Sequence, residues 1–148
     1  MPTIIRAKEE HTNELARLFN LYRIFYEQKS DQALAFDFVK KRLINNESIV
    51  FMAEEESGIF SGFVQLYPSF CSVSATPILI LYDLYVEQES RSKGIGRQLM
   101  NAAKEYAKLN DYDRLELSTA KDNYIGQALY ESLGYQKDDE FFHYSLDV

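Results

Sequence analysis

Residues 84–100 read LYVEQESRSKGIGRQLM, and the hexapeptide RSKGIG (91–96) stands at a junction within them. Before it lies the strand-like run ILILYDLYV (78–86); after it comes the helix-like run RQLMNAAKEYAKL (97–109). Glycine is a poor helix former, yet Gly94 and Gly96 fall where the helix should begin. A helix N-terminus presents backbone N–H groups that lack intrahelical acceptors, together with a partial positive charge from the helix dipole. Those groups bind phosphate when side chains leave the approach clear. Two glycines remove two Cβ atoms there, and Arg91, Lys93 and Arg97 add positive charge around them. Residues Arg91 to Arg97, with Ser92 and Ile95 between the basic and glycine positions, therefore read as a pyrophosphate cradle. The plain alternative is a glycine-containing turn carrying solvated basic side chains. A P-loop is excluded because G-x-x-x-x-G-K-[ST] is absent. A dinucleotide fingerprint is excluded because its third glycine position holds Leu99 and the unit lies in the second half of the chain.

Working outward, TIIRAK (3–8) predicts a short first strand. The next run, HTNELARLFNLYRIFYE, carries Leu15, Leu18, Phe19, Tyr22, Phe25 and Tyr26 at helical spacing, with Thr12 as its cap. A second helix is expected from Ser30 or Asp31 to Asn45. Strands follow near 48–55 and 59–67, joined by a turn at Glu56-Ser57-Gly58. PSFCSVSATP (68–77) holds two prolines and no clear period, so a loop is expected there. Beyond the helix at 95–109 the pattern predicts a strand at 114–119, a helix at 123–133, and strands at 135–138 and 141–147. The fold class is α/β (mixed α+β): a mixed sheet of about six to seven strands with helices on both faces, in a single domain spanning 1–148.

Composition narrows the function classes. The formal net charge of −7 argues against a general nucleic-acid binder and is compatible with a cationic substrate. One cysteine and two histidines offer no cluster with zinc-ligand spacing, so no metal is expected. No apolar run has the length of a membrane span, the N-terminus lacks a signal-peptide pattern, and the lone Cys71 cannot form an internal disulfide. The expectation is a cytoplasmic protein with no membrane or nucleic-acid partner.

A second constellation is NYIGQALYESLG (123–134). On a helix, Asn123 and Tyr130 are seven residues apart and share a face, with Gly126 between them leaving room for something to lie alongside. Ile125, Leu129 and Leu133 form a separate apolar stripe, and Gly134 supplies a stop. The bland reading of Tyr130 is a half-buried tyrosine with a wet hydroxyl.

RSKGIG fits [RQ]-x-x-G-x-[GA], and Asn123, Gly126, Leu129, Tyr130, Gly134 and Tyr135 fit N-x-x-[AG]-x-x-L-Y-x-x-x-G-[FY]. Strand, loop and helix in this order, over 78–135, resemble the GCN5-related N-acetyltransferases (GNAT family). The resemblance implies the GNAT fold and acetyl-CoA as co-substrate. It implies an acyl-CoA pyrophosphate on Arg91–Arg97, a pantetheine arm along Leu84, Tyr85 and Val86, and Asn123 on the cofactor arm. It makes Tyr130, near the CoA sulfur, the acid that reprotonates the thiolate. The aromatic first helix, FYE (25–27) and YDLYV (82–86, with Tyr82 where that branch often has a second carboxylate) are similar to the polyamine and diamine acetyltransferase branch.

Asp83 interrupts an otherwise apolar run. Either it is structural, tied to backbone or an Arg, or it faces the amine and holds it or takes its proton. Tyr26, Glu27 and Asp83 are the candidate acceptor contacts. The function expected is acetyl transfer to a primary amine of a small molecule or peptide, as a monomer or a homodimer. The alternative is a non-catalytic acyl-CoA-binding or sensing domain.

Overall fold

Alternating apolar positions need a sheet neighbour, and five stretches find one. In the computed structural model, which describes residues 1–148, the strands are β1 (Thr3–Arg6), β2 (Ile49–Glu54), β3 (Phe60–Cys71), β4 (Thr76–Val86) and β5 (Leu115–Glu116). They form one sheet in sequence order, antiparallel from β1 to β4 and parallel between β4 and β5. The helices are α1 (Thr12–Phe25), α2 (Gln32–Ile44), α3 (Ile95–Leu109) and α4 (Tyr124–Ser132). No helix is long and apolar enough to cross a membrane.

Residues 1–118 and 119–148 form two compact units. In the first, the sheet carries helices on both faces. Val50, Met52 and Phe63 join Leu15, Leu18 and Phe19 of α1 and Ala35 and Val39 of α2 in one core. Phe51, one residue out of step, points to the other face and meets Tyr106 of α3 with ring centroids 6.0 Å apart. The α3 stripe Ile95, Leu99, Met100, Ala103 and Ala107 is buried at helical spacing. Asp31 caps α2 by accepting a hydrogen bond from the Leu34 N–H at 3.0 Å. Thr12 does not occupy the cap of α1: a 3-10 turn at Glu9–His11 precedes it, and the Thr12 hydroxyl turns back to the Glu9 carbonyl.

Three expectations are corrected. The 68–77 segment is mostly strand: β3 runs on to Cys71 and β4 starts at Thr76. Its prolines are tolerated because of their register. Pro68 lies opposite Leu79, whose N–H donates to the Arg114 carbonyl at 3.0 Å rather than to β3. Pro68 and, two pairs along, Pro77 opposite Phe70 thus sit where the ladder asks no donor of them. The strand expected at 114–119 shortens to Leu115–Glu116.

The sheet has five strands rather than six or seven, because 135–138 and 141–147 form none. Alternation at Phe142, Tyr144 and Leu146 supplies a face but not a hydrogen-bonded neighbour, and all three stay exposed. In the second unit α4 is closed by Gly134 at φ +93°, where the Tyr135 N–H returns to the Tyr130 carbonyl at 3.0 Å.

Candidate functional site

The turn into α3 is built around its cap residue. Gly94 sits at φ +82°, in the left-handed region, and a Cβ there would meet no atom within 4 Å. Backbone conformation, not crowding, requires the glycine, and the space beside it is open. The first bond of the helical ladder runs from the Gln98 N–H to the Gly94 carbonyl at 3.1 Å. The amides of Ile95 and Gly96 lie before that ladder, and no side chain caps the end. Ile95 is buried and anchors the turn, while Arg91, Ser92, Lys93 and Arg97 are exposed around it. Open space, amides at a helix start and local positive charge together suit a phosphate-bearing ligand.

The strand leading into this turn has an unpaired edge. β4 and β5 are joined only at Leu79↔Leu115 and Ile80↔Glu116, so no strand pairs with the outer edge of β4 beyond Ile80. On the inner edge the Glu87 N–H donates to the Ser61 carbonyl at 2.8 Å, which sets the phase of the ladder. By alternation Tyr85 and Asp83 exchange bonds with β3, whereas Leu84 and Val86 turn their backbone groups outward. Arg91 Nε donates to the Val86 carbonyl at 2.7 Å, and its guanidinium lies over the rings of Phe25 and Tyr85. Both backbone groups of Leu84 and the N–H of Val86 are left for an extended ligand laid along the edge.

Asp83 owes its direction to a bulge. Leu66 pairs with Leu81 and Gln65 with Asp83, so Tyr82 is an extra residue in β4. Strict alternation would put Leu81 and Asp83 on the same face. Because Leu66 and Gln65 point to opposite faces, their partners do too, and Asp83 is turned to the α1 side. There it is only 3% exposed. Gln65 Nε2 donates to Asp83 Oδ2 at 2.7 Å, and Ser48 Oγ donates to Gln65 Oε1 at 2.8 Å. The Tyr22 hydroxyl lies beside the same carboxylate. Burial raises the Asp83 carboxyl above its ordinary range, against the hydrogen bonds from Gln65 and Tyr22, which act the other way. Neither of the structural ties expected for Asp83, an Arg or a backbone group, is among these contacts.

Asp83 also lines an open pocket of about 260 Å³ with Phe19, Tyr22, Arg23, Tyr26, Gln28, Phe38, Tyr67 and Tyr82. Burial is the main cause that raises the hydroxyls of Tyr22 and Tyr67 above their ordinary value, with the Asp83 charge second. Of the acceptor candidates, Tyr26 and Asp83 meet here. Glu27 does not line the pocket; it is exposed at φ +64°, past the end of α1. The residues that the sequence did not yield are Ser48, Gln65, Tyr22 and Tyr67. One signal was present: Gln65 interrupts the apolar run FVQLY as Asp83 interrupts ILYDLYV.

In the second unit Asn123 is the cap of α4. Its Oδ1 accepts from the Gly126 N–H at 3.1 Å, and its Nδ2 donates to Thr119 Oγ1 at 2.9 Å. A Cβ on Gly126 would lie 2.5 Å from Asn123 Nδ2, so the room that Gly126 leaves is filled by the Asn123 carboxamide. Ile125, on the apolar stripe read from the sequence, is exposed. Tyr130 is half-buried, its ring 6.2 Å from that of Tyr135. Burial pushes the Tyr135 hydroxyl up to about 12.

The acetyltransferase (GNAT) family matches residues 13–135. The chain is 48% identical to an uncharacterized N-acetyltransferase, YhfO, of Bacillus subtilis, over 98% of this chain and 97% of that one. A crystal structure of a probable acetyltransferase superposes with a TM-score of 0.92 at 38% identity, covering 99% and 97% of the two chains. An aminoglycoside N-acetyltransferase in complex with CoA shares the fold, with a TM-score of 0.85 at 16% identity and coverage of 100% and 96%.

Proposed function

Starting from the premise that this chain belongs to the acetyltransferase (GNAT) family, and so is an acetyltransferase, we propose that it moves an acetyl group from acetyl-CoA to a primary amine. The observation that carries the proposal is the unpaired outer edge of β4 leading straight into the uncapped, glycine-opened N-terminus of α3. That pairing of features fits the two ends of acyl-CoA, an amide-rich arm and a pyrophosphate. Acetyl-CoA, when bound, supplies the acetyl group as an activated thioester.

The chain's own residues divide the work. The amides of Ile95 and Gly96, with Arg91, Lys93 and Arg97 around them, hold the phosphates, and Gly94 keeps the approach clear. Leu84 and Val86 hold the arm by backbone bonds, as a strand would. An amine is an ammonium at neutral pH and must lose a proton before its lone pair can react. Asp83 takes that proton on its carboxylate oxygen, and its raised pKa makes it a better acceptor than an ordinary aspartate. Tyr130 supplies the proton that the departing thiolate needs, a role open to a phenolic hydroxyl, which is both donor and acceptor. The family match covers residues 13–135, which supports reading the chain as a single acetyltransferase domain.

The test is release of free thiol from acetyl-CoA in the presence of a broad amine panel, with the acetylated product identified by mass. Turnover with at least one amine is expected. Saturable acetyl-CoA binding with no turnover on any amine would instead favour a sensing domain.

A further inference from the structure

A buried carboxyl is held as the ion only beside a partner of opposite charge, and the chain itself gives Asp83 none. Its hydrogen-bonding neighbours Gln65 and Tyr22 are neutral, and it takes part in none of the ion pairs of the molecule. Yet it opens into a pocket, so the missing cation has a place to sit. The walls are aromatic: Tyr22, Tyr26, Tyr67, Tyr82 and Phe38. Ring faces attract an ammonium and pack on an apolar body.

The pocket holds about 260 Å³, under the roughly 300–1,000 Å³ of sites for drug-sized ligands. It therefore suits a small amine with about one ring. Asp83 is the sole carboxylate in the lining, and the other formal charge there is Arg23, which has no carboxylate within ion-pair reach. A second ammonium entering the pocket would meet the Arg23 guanidinium instead of an acid.

We propose that this pocket takes the acceptor as a singly charged ammonium on one ring-sized apolar body, an aralkylamine, in preference to polyamines and aminoglycosides. The proposal rests on the acetyltransferase reading above and narrows it to a substrate class. Asp83 receives the ammonium, Tyr26, Tyr82 and Phe38 enclose the ring, and Arg23 rejects polycations. Gln65, fixed by Ser48, holds the carboxylate in place.

The test is direct binding to the full chain, by calorimetry, of phenethylamine, spermidine and kanamycin. Phenethylamine should bind the tightest of the three. Asp83→Asn keeps an acceptor for Gln65 and should weaken phenethylamine by about 10–100-fold, the loss of one charged hydrogen bond. Tyr82 is 66% exposed, so Tyr82→Ala leaves the core untouched and should weaken it by about 2–5-fold. Arg23→Glu should raise spermidine affinity and narrow the preference.

Spermidine or kanamycin binding the wild type as tightly as phenethylamine, or Asp83→Asn binding phenethylamine unchanged, would overturn the proposal. Acetyl-CoA binding and thiol release, measured apart, separate the two readings. Turnover of kanamycin or spermidine without phenethylamine sinks the substrate class and leaves the acetyltransferase. Failure to bind acetyl-CoA sinks the acetyltransferase, while amine binding still decides the pocket.

Discussion

Burial disfavours the charged form of Asp83, so its carboxyl holds a proton in the folded protein at pH values where the unfolded chain has released it. Between the ordinary aspartate value of 3.8 and its raised value the native state binds the extra proton. Stability therefore falls as pH rises through that window, and nothing is lost below it. Asp83→Asn abolishes this pH dependence while keeping an acceptor for Gln65. The variant should melt at about the wild-type temperature near pH 4 and above it near pH 7, as followed by thermal unfolding across pH. A variant less stable than wild type at every pH would show that the carboxylate is a structural tie.

Tyr130 is a different case. Tyr130→Phe deletes one hydroxyl and keeps the ring, so kcat should fall by roughly 10²–10⁴-fold with acetyl-CoA affinity unchanged. Near-native kcat in that variant would make Tyr130 a packing residue. Both residues stood out in the sequence, Asp83 by interrupting an apolar strand and Tyr130 by its helical spacing from Asn123. The polar neighbours of Asp83 could not be listed from the sequence with the same ease, because Gln65 reaches it from β3 and Ser48, just before β2, touches only Gln65.

Elements show where local pattern suffices and where it does not. The turn into α3 was legible because strand, glycines and helix are consecutive, and each constrains the next. The Tyr82 bulge was not, since alternation assigns a residue to a face but cannot say where a strand gains one. The same limit explains the C-terminal segments, where alternation existed without a partner strand.

In α4 the interplay of Asn123 and Gly126 makes a quantitative case. Asn123→Ala removes the cap and should cost about 1 kcal/mol of helix stability. Gly126→Ala alone gains about 1 kcal/mol of helix propensity but drives the Asn123 carboxamide out, so the two effects nearly cancel. In the Asn123→Ala background the same substitution should recover the full gain. Amide exchange of residues 124–132 in the four proteins reads out the cycle, and an identical Gly126→Ala effect in both backgrounds would remove the steric coupling.

The whole molecule poses a question of charge, for a chain at −7 is asked to bind a polyanion. At physiological ionic strength charges farther than about 8 Å are largely screened. The basic residues at 91, 93 and 97 and the α3 dipole act at this short range, where Glu87 and Glu89, which line a pocket with Lys93 and Ile95, oppose them. At this scale the pocket around Asp83 was hidden from the sequence, because its lining is gathered from positions 19–28, 38, 67 and 82–83, which only the fold brings together.

Gly96 offers the most direct probe of the central claim, that acetyl-CoA is held at the start of α3. It lies inside the helix and, unlike Gly94, not at positive φ, so a side chain there brings no left-handed strain. Calorimetric titration of acetyl-CoA into the wild type and Gly96→Val, with melting temperatures measured alongside, decides it. Saturable binding to the wild type is expected, with a large loss of affinity in a variant that melts at a similar temperature. Equal affinity in a folded Gly96→Val protein would contradict it.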